Sequence, residues 1–130
     1  MSLLRTEIAP ANGGVQRVAI GGRLDTHTYA ELDQALAPLL GNPAVTSLVL
    51  DLEGLDYISS AGIRSVFKAR KALAARAGKV LVVNPQPQIQ KVLDMVKAVP
   101  LHEIFSSTAE ADAYLDLMQR RVLEAGEDED

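Results

Sequence analysis

Apolar residues run along the whole chain in short blocks, and the spacing inside each block changes from one to the next, which outlines the elements. Leu4 to Ile8 and Val15 to Ile20 read as two short strands. Ala11, Asn12, Gly13 and Gly14 join them and supply the positive-φ positions of a hairpin turn. Val15 to Ile20 alternate only roughly, giving the second strand one half-exposed face. From Thr28 the period lengthens: Tyr29, Leu32, Leu36, Leu39 and Leu40 fall at helical spacing, and Thr28 with Glu31 offers a capping box. Pro38 removes a hydrogen bond and crowds the preceding turn, so this helix is expected to kink or end near Ala37, before Gly41, Asn42 and Pro43 break the chain.

Ser47 to Leu52, SLVLDL, is a nearly continuous apolar run bounded by turn residues, the pattern of a central strand covered on both faces. Ile63, Val66, Phe67, Arg70 and Leu73 or Ala74 mark one stripe of a second helix, with Arg64, Lys68, Lys71 and Ala75 on a different face. Gly78 ends that helix, and Val80 to Val83 form another wholly apolar strand that stops at Asn84 and Pro85. Ile89, Val92, Leu93 and Val96 predict a third helix, Ile104 and Phe105 a short last strand, and Ser107 with Glu110 the capped start of a helix through Tyr114, Leu117 and Met118. The order β-β-α-β-α-β-α-β-α predicts a single α/β domain. It has a mixed β-sheet with an N-terminal antiparallel hairpin, parallel βα units and about four helices covering the sheet.

A chain of 130 residues fits one domain and buries a core without disulfides or metal. The net charge of -4 is misleading until it is split, because Glu124, Glu127, Asp128, Glu129 and Asp130 lie in the last seven residues. Without them, 12 acids face 13 bases, so the body is near neutral and lacks the basic excess of a nucleic-acid binder. The division expected is a domain over residues 1–123 and an acidic, disordered tail over 124–130. No stretch is long and apolar enough to span a bilayer, and Leu3 and Leu4 run straight into Arg5, Thr6 and Glu7 rather than into a secretory signal. With no cysteine to form disulfides, the expected location is cytoplasmic, away from the membrane.

Functional loops of an open α/β sheet gather at the carboxyl ends of its parallel strands, and two loops stand there. The first reads Gly21-Gly22-Arg23-Leu24-Asp25-Thr26-His27-Thr28, and the second runs from Glu53 through Asp56, Tyr57 and Ile58 to Ser59, Ser60, Ala61 and Gly62. Ser59 or Ser60 falls at the N-cap of the second helix, beside the free N–H groups of its first turn. A serine there is most often a cap and nothing more. Two serines followed by the small Ala61 and Gly62 add something else, a helix start open to close approach by another molecule.

The block LDLEGLDYISSAGIRSVFKARKAL, with the earlier GRLDTHTYAELDQAL, resembles the STAS family of bacterial anti-sigma factor antagonists, from Leu4 to about Leu117. The resemblance implies a non-enzymatic binding module that captures an anti-sigma factor, itself a serine protein kinase. That kinase phosphorylates a serine at this helix start, and a serine phosphatase reverses the modification. By position that serine is Ser60, with Ser59 the alternative. Family members often carry Asp, Ser, Ser or Thr, then Gly here, so Ser59 stands in the place of the Asp and Ala61 in that of the second hydroxyl; others have the Ser-Ser-Ala-Gly form. Asp25 matches an acidic residue of the family's first loop, where it resembles a partner contact, although a local turn or cap contact is an equal account of an aspartate there. Asp25, Thr26, Ser59, Ser60, Ala61, Gly62 and Arg64 make up the partner surface so implied.

Other constellations carry less. Asp51 at a strand end has the place of a phospho-accepting aspartate in a receiver domain, yet the opening hairpin disagrees with a receiver's βαβ start. His27 and His102 with Ser60 lack a Gly-x-Ser-x-Gly elbow, and Gly21 and Gly22 lack the second half of any nucleotide motif. No catalytic residue, metal ligand or cofactor is therefore assigned. Two further readings share the fold: a stand-alone STAS subunit of a signalling or transport-associated assembly, and a sensor that binds a nucleotide or lipid at the two loops.

Overall fold

The computed structural model describes residues 3–98 and 104–128. Strands β1 (Leu4–Ile8) and β2 (Val15–Leu24) form the expected antiparallel hairpin, with Leu4 opposite Gly22 and Ile8 opposite Val18. Gly13 and Gly14 turn the chain at φ 59° and 87°, a region that glycine enters without steric cost. β2 runs on past Ile20, and its length gives it three partners. β1 lies along one edge. Along the other, β3 (Ser47–Asp51) pairs in parallel with Val15 to Ala19, and beyond it β4 (Leu55–Ile58) pairs in parallel with Gly22 to Leu24 after a register shift at Gly22/Arg23. β5 (Lys79–Val83) adds in parallel to β3 and completes the order β1-β2-β3-β5.

The helices are α1 (Tyr29–Leu40), α2 (Ser60–Ala74), α3 (Pro87–Ala98) and α4 (Thr108–Asp128). Val18, Ile20, Leu48 and Leu50 are fully buried on one face of the sheet, in one cluster with Leu32 and Leu36 of α1, Val66 and Leu73 of α2, Val92 of α3 and Leu115 of α4. Alternate residues turn to the other face, where Arg17 pairs with Asp51 at 2.8 Å and Leu81 is 43 % exposed. The expectation that SLVLDL is covered on both faces is thus corrected. Its alternation was hidden because Val49 is apolar at a half-buried position of the open face.

Other departures have local causes. Strand β4 replaces what reads as loop, because a four-residue strand containing Asp56 is too short and too polar to show a period. Helix α1 does not stop at Ala37 but continues through Pro38 to Leu40. The Arg76 guanidinium donates to Leu40 O at the end of the helix at 2.6 Å, and to Asn42 O and Val45 O in the segment that follows, both at 3.0 Å. Ile104 is helical and Phe105 lies in no strand; the Phe105 ring instead rests on Tyr114, centroids 5.2 Å apart. Helix α4 runs through Asp128. Leu123, Glu124 and Ala125 are good helix formers, and no stop signal precedes Gly126.

Candidate functional site

The pairing of β4 with β2 is what brings the two candidate loops together. Leu24 and Ile58 are register partners, and the Ser59 N–H donates to Leu24 O at 2.9 Å, so the loop that begins at Asp25 lies beside the first turn of α2. Gly62 makes this approach feasible. A Cβ added there would stand 2.7 Å from Leu24 Cγ, 2.9 Å from Ile58 Cγ1 and 2.9 Å from Leu24 O. Ala61 is 1 % exposed and Gly62 is buried as well. The close approach that these small residues permit is thus made by the protein's own β2 and β4, and the expectation of an open helix start at Ala61 and Gly62 is corrected.

In the first loop the hydrogen bonds are internal. The Asp25 carboxylate accepts from the His27 N–H at 2.9 Å, and Thr28 Oγ1 and Arg23 Nε stand 3.2 Å and 3.5 Å from its oxygens. The Thr28 hydroxyl donates to Arg23 O at 2.8 Å and accepts from the Asp25 N–H at 2.9 Å. Thr28 occupies the N-cap of α1, but its side chain makes no capping hydrogen bond, so the expected capping box is absent. The hydroxyl has been spent on closing the loop. Asp25 is buried, whereas Thr26 and His27 are exposed. The part of this loop that another molecule can touch is its tip.

At the second loop Ser59 is the N-cap of α2 and Ser60 its first helical residue. Ser59 is 2 % exposed, and its Oγ has no hydrogen-bond partner among the described residues. Ser60 is 7 % exposed, and its hydroxyl is engaged: Ser60 Oγ donates to Asp112 Oδ1 at 2.7 Å, and the Ser60 N–H donates to the same oxygen at 3.0 Å. An aspartate from another helix therefore supplies the anionic cap that Ser59 does not give. Two turns along α4, the Gln119 amide donates from Nε2 to Ile58 O at 2.8 Å and accepts from the Ile58 N–H at 3.0 Å, acting as one more strand residue at the end of β4. Buried Leu115 lies between them in sequence.

Asp112 and Gln119 are absent from the sequence-based expectations. Their signal is a polar residue on a buried helical stripe: Asp112, Leu115 and Gln119 share the i, i+3, i+7 spacing of one face, and a polar group there needs a partner across the interface.

Tyr57 stands between the loops with the Arg23 guanidinium 4.1 Å from its ring centroid. Burial raises its pKa above the ordinary 10.0, and the nearby carboxylates of Asp116 and Asp112 push the same way. On the other side of Ser60, a groove of about 530 Å³ is lined by Ile63, Phe67, Val96 and Phe105, with exposed Arg64 at its margin. Thus Ser60, Arg64 and the tip residue Thr26 belong to one end of the domain, while Ala61 and Gly62 serve its interior. No helix among the described residues is long and apolar enough to cross a membrane.

Residues 8–111 match the STAS domain family. The chain is 29 % identical over 75 residues to an anti-sigma F factor antagonist of Lysinibacillus sphaericus; the match takes in 58 % of this chain and 64 % of that protein, a little under two thirds of its length. An anti-sigma F factor antagonist of Paenibacillus polymyxa is 23 % identical over 105 residues, 81 % of this chain and 90 % of that one. Among solved structures, the anti-sigma factor antagonist SpoIIAA in its unphosphorylated form superposes with a TM-score of 0.60 at 23 % identity, over 69 % of this chain and 82 % of that one. Its phosphorylated form, described as a Bacillus cell fate determinant, gives 0.60 over 70 % and 82 %. The hairpin, the parallel strands and the helices packed on them match that fold, and with the family match spanning most of this chain it belongs to the STAS domain family.

Proposed function

We propose that the chain is an anti-sigma factor antagonist, a binding module without catalysis of its own, which holds an anti-sigma factor while Ser60 is unmodified and releases it when Ser60 is phosphorylated. The observation that carries this reading is the composite end of the domain: the β2–β4 pairing sets the exposed tip at Thr26 and His27 beside Ser60 and Arg64. The relatives named as anti-sigma factor antagonists support the role, and the existence of a phosphorylated form of SpoIIAA supports the switch. The anti-sigma factor is itself the serine kinase in this reading, a serine phosphatase resets the module, and the exchange takes place in the cytoplasm. Asp25 shapes the loop from inside rather than meeting the partner directly. Transcription is controlled through the partner, with no direct contact to nucleic acid.

Co-purification from the native organism, followed by mass spectrometry of partner and phosphosite, tests this. An anti-sigma factor bound to the unmodified chain, and a phosphopeptide at Ser60 in the unbound fraction, are expected. Recovery of a transport or scaffold assembly with no kinase would instead favour a stand-alone subunit.

A further inference from the structure

Strand β1 ends the sheet on one side and pairs only with β2 among the described residues, so no strand lies along its outer edge. Two hydrogen bonds fix the phase of the hairpin, from the Ala9 N–H to Arg17 O and from the Arg23 N–H to Leu3 O. Leu3, Arg5, Glu7 and Ala9 therefore turn their backbone groups toward β2, and Thr6 and Ile8 turn theirs outward. Pro10, next in the outward series, has no N–H and ends the row. We propose that this edge is a homodimer surface, on which β1 of a second copy of this chain pairs antiparallel about a two-fold axis through Thr6.

Charge selects both the occupant and the register. Two copies of one strand related by a two-fold axis run antiparallel, and outward-facing residues must meet outward-facing residues. Within β1 this leaves an axis at Arg5, at Thr6 or at Glu7. The first sets Arg5 opposite itself and the last sets Glu7 opposite itself, and like charges directly opposite are destabilising. The axis at Thr6 exchanges two backbone hydrogen bonds between the Thr6 residues and sets Arg5 of each copy opposite Glu7 of the other, at the positions where side chains stand closest. Arg5 and Glu7 are exposed, and neither has an ion pair among the described residues. Ile8, 49 % exposed, comes opposite Leu4 of the second copy and is removed from water there. Charges on an edge strand ordinarily guard it against pairing; here they exclude every register but one. β1 flanks β2 on one side and β4 flanks it on the other, so the pairing does not involve the end of the domain at Ser60 and stands independently of the antagonist reading.

Sedimentation equilibrium of the full 13.9 kDa chain tests this. So short a ladder is a weak interface, and a reversible monomer–dimer equilibrium with a Kd on the order of 10 to 100 μM is expected. Thr6→Pro removes the N–H at the axis without touching a bond to β2, a place where an edge strand tolerates proline, and should leave a monomer throughout. Glu7→Arg sets like charges opposite in both pairs and should weaken dimerisation at least about tenfold. Arg5→Glu combined with Glu7→Arg restores opposite charges with their signs exchanged, and should return the Kd to within about threefold of the parent. Circular dichroism reports whether each variant stays folded. A parent chain that remains monomeric up to about 1 mM overturns the proposal. A dimer that folded Thr6→Pro leaves intact overturns it too, as does a double variant no tighter than Glu7→Arg.

Discussion

Leu24 and Ile58 face each other across the parallel β2–β4 ladder, and Gly62 lies against both, so one missing side chain sets the distance between the two loops of the site. Gly62→Ala tests this. Helix propensity alone favours alanine by about 1 kcal/mol. The new methyl, however, would stand 2.9 Å from the backbone oxygen of Leu24, which cannot swing aside as a side chain can. Overpacking of this kind costs about 1 to 3 kcal/mol and is expected to outweigh the propensity gain. Thermal unfolding should show a lower Tm, and an unchanged or raised Tm would remove Gly62 from this role.

Arg76 is the external cap of α1. Its guanidinium donates to the carbonyls of Leu40, Asn42 and Val45, and charge-assisted bonds of this kind contribute more than neutral ones. Arg76→Ala is expected to cost about 2 to 3 kcal/mol in urea unfolding. Arg76→Lys should recover only a part, since one ammonium cannot span three carbonyls. Equal stability of the alanine variant and the parent would mean that water replaces the guanidinium without loss.

The Arg17–Asp51 pair on the open face gives a pH dependence with a definite sign. The hydrogen bond from Arg17 holds the Asp51 carboxyl below its ordinary value of 3.8, helped by the Glu53 N–H and by Asn84, against a smaller opposing effect of burial. The unfolded chain therefore takes up this proton first as the pH falls. The stability from Asp51 is complete above the ordinary carboxylate value and is lost as the pH falls through the lowered folded value. Arg17 is half exposed, so the gap between the parent and Asp51→Asn at neutral pH should be below about 1 kcal/mol. Urea unfolding at about pH 7 and about pH 3 should show the gap shrinking in acid. A gap that widens in acid would contradict the assignment.

Most of the frame was legible before the structure because period reports burial. The hairpin, the apolar runs at Leu48 to Leu50 and Val80 to Val83, and the stripes of α2 and α3 all appear where their spacing put them. What escaped depends on contacts between residues far apart in sequence. β4 is a strand because Leu24 and its neighbours stand ready to pair with it, the end of α1 is held by Arg76 from beyond α2, and Thr28 gives up its cap to close a loop. At the site, Ser59 and Ser60 were located by the helix start alone, but the tie on the Ser60 hydroxyl was not, since it comes from Asp112 of α4. That partner is separated from Ser60 by 52 residues, and no local pattern encodes it.

The central claim is that the charge state of Ser60 decides partner binding, and calorimetric titration of the co-purified anti-sigma factor with unmodified and phosphoserine-60 chains tests it most directly. A dianion forced against a desolvated interface should weaken binding by several kcal/mol, on the order of a thousandfold. Ser60→Ala should bind as the unmodified chain does and take no phosphate from the kinase. Equal affinity of the two forms, or stoichiometric phosphorylation of Ser60→Ala at Ser59, would contradict the account.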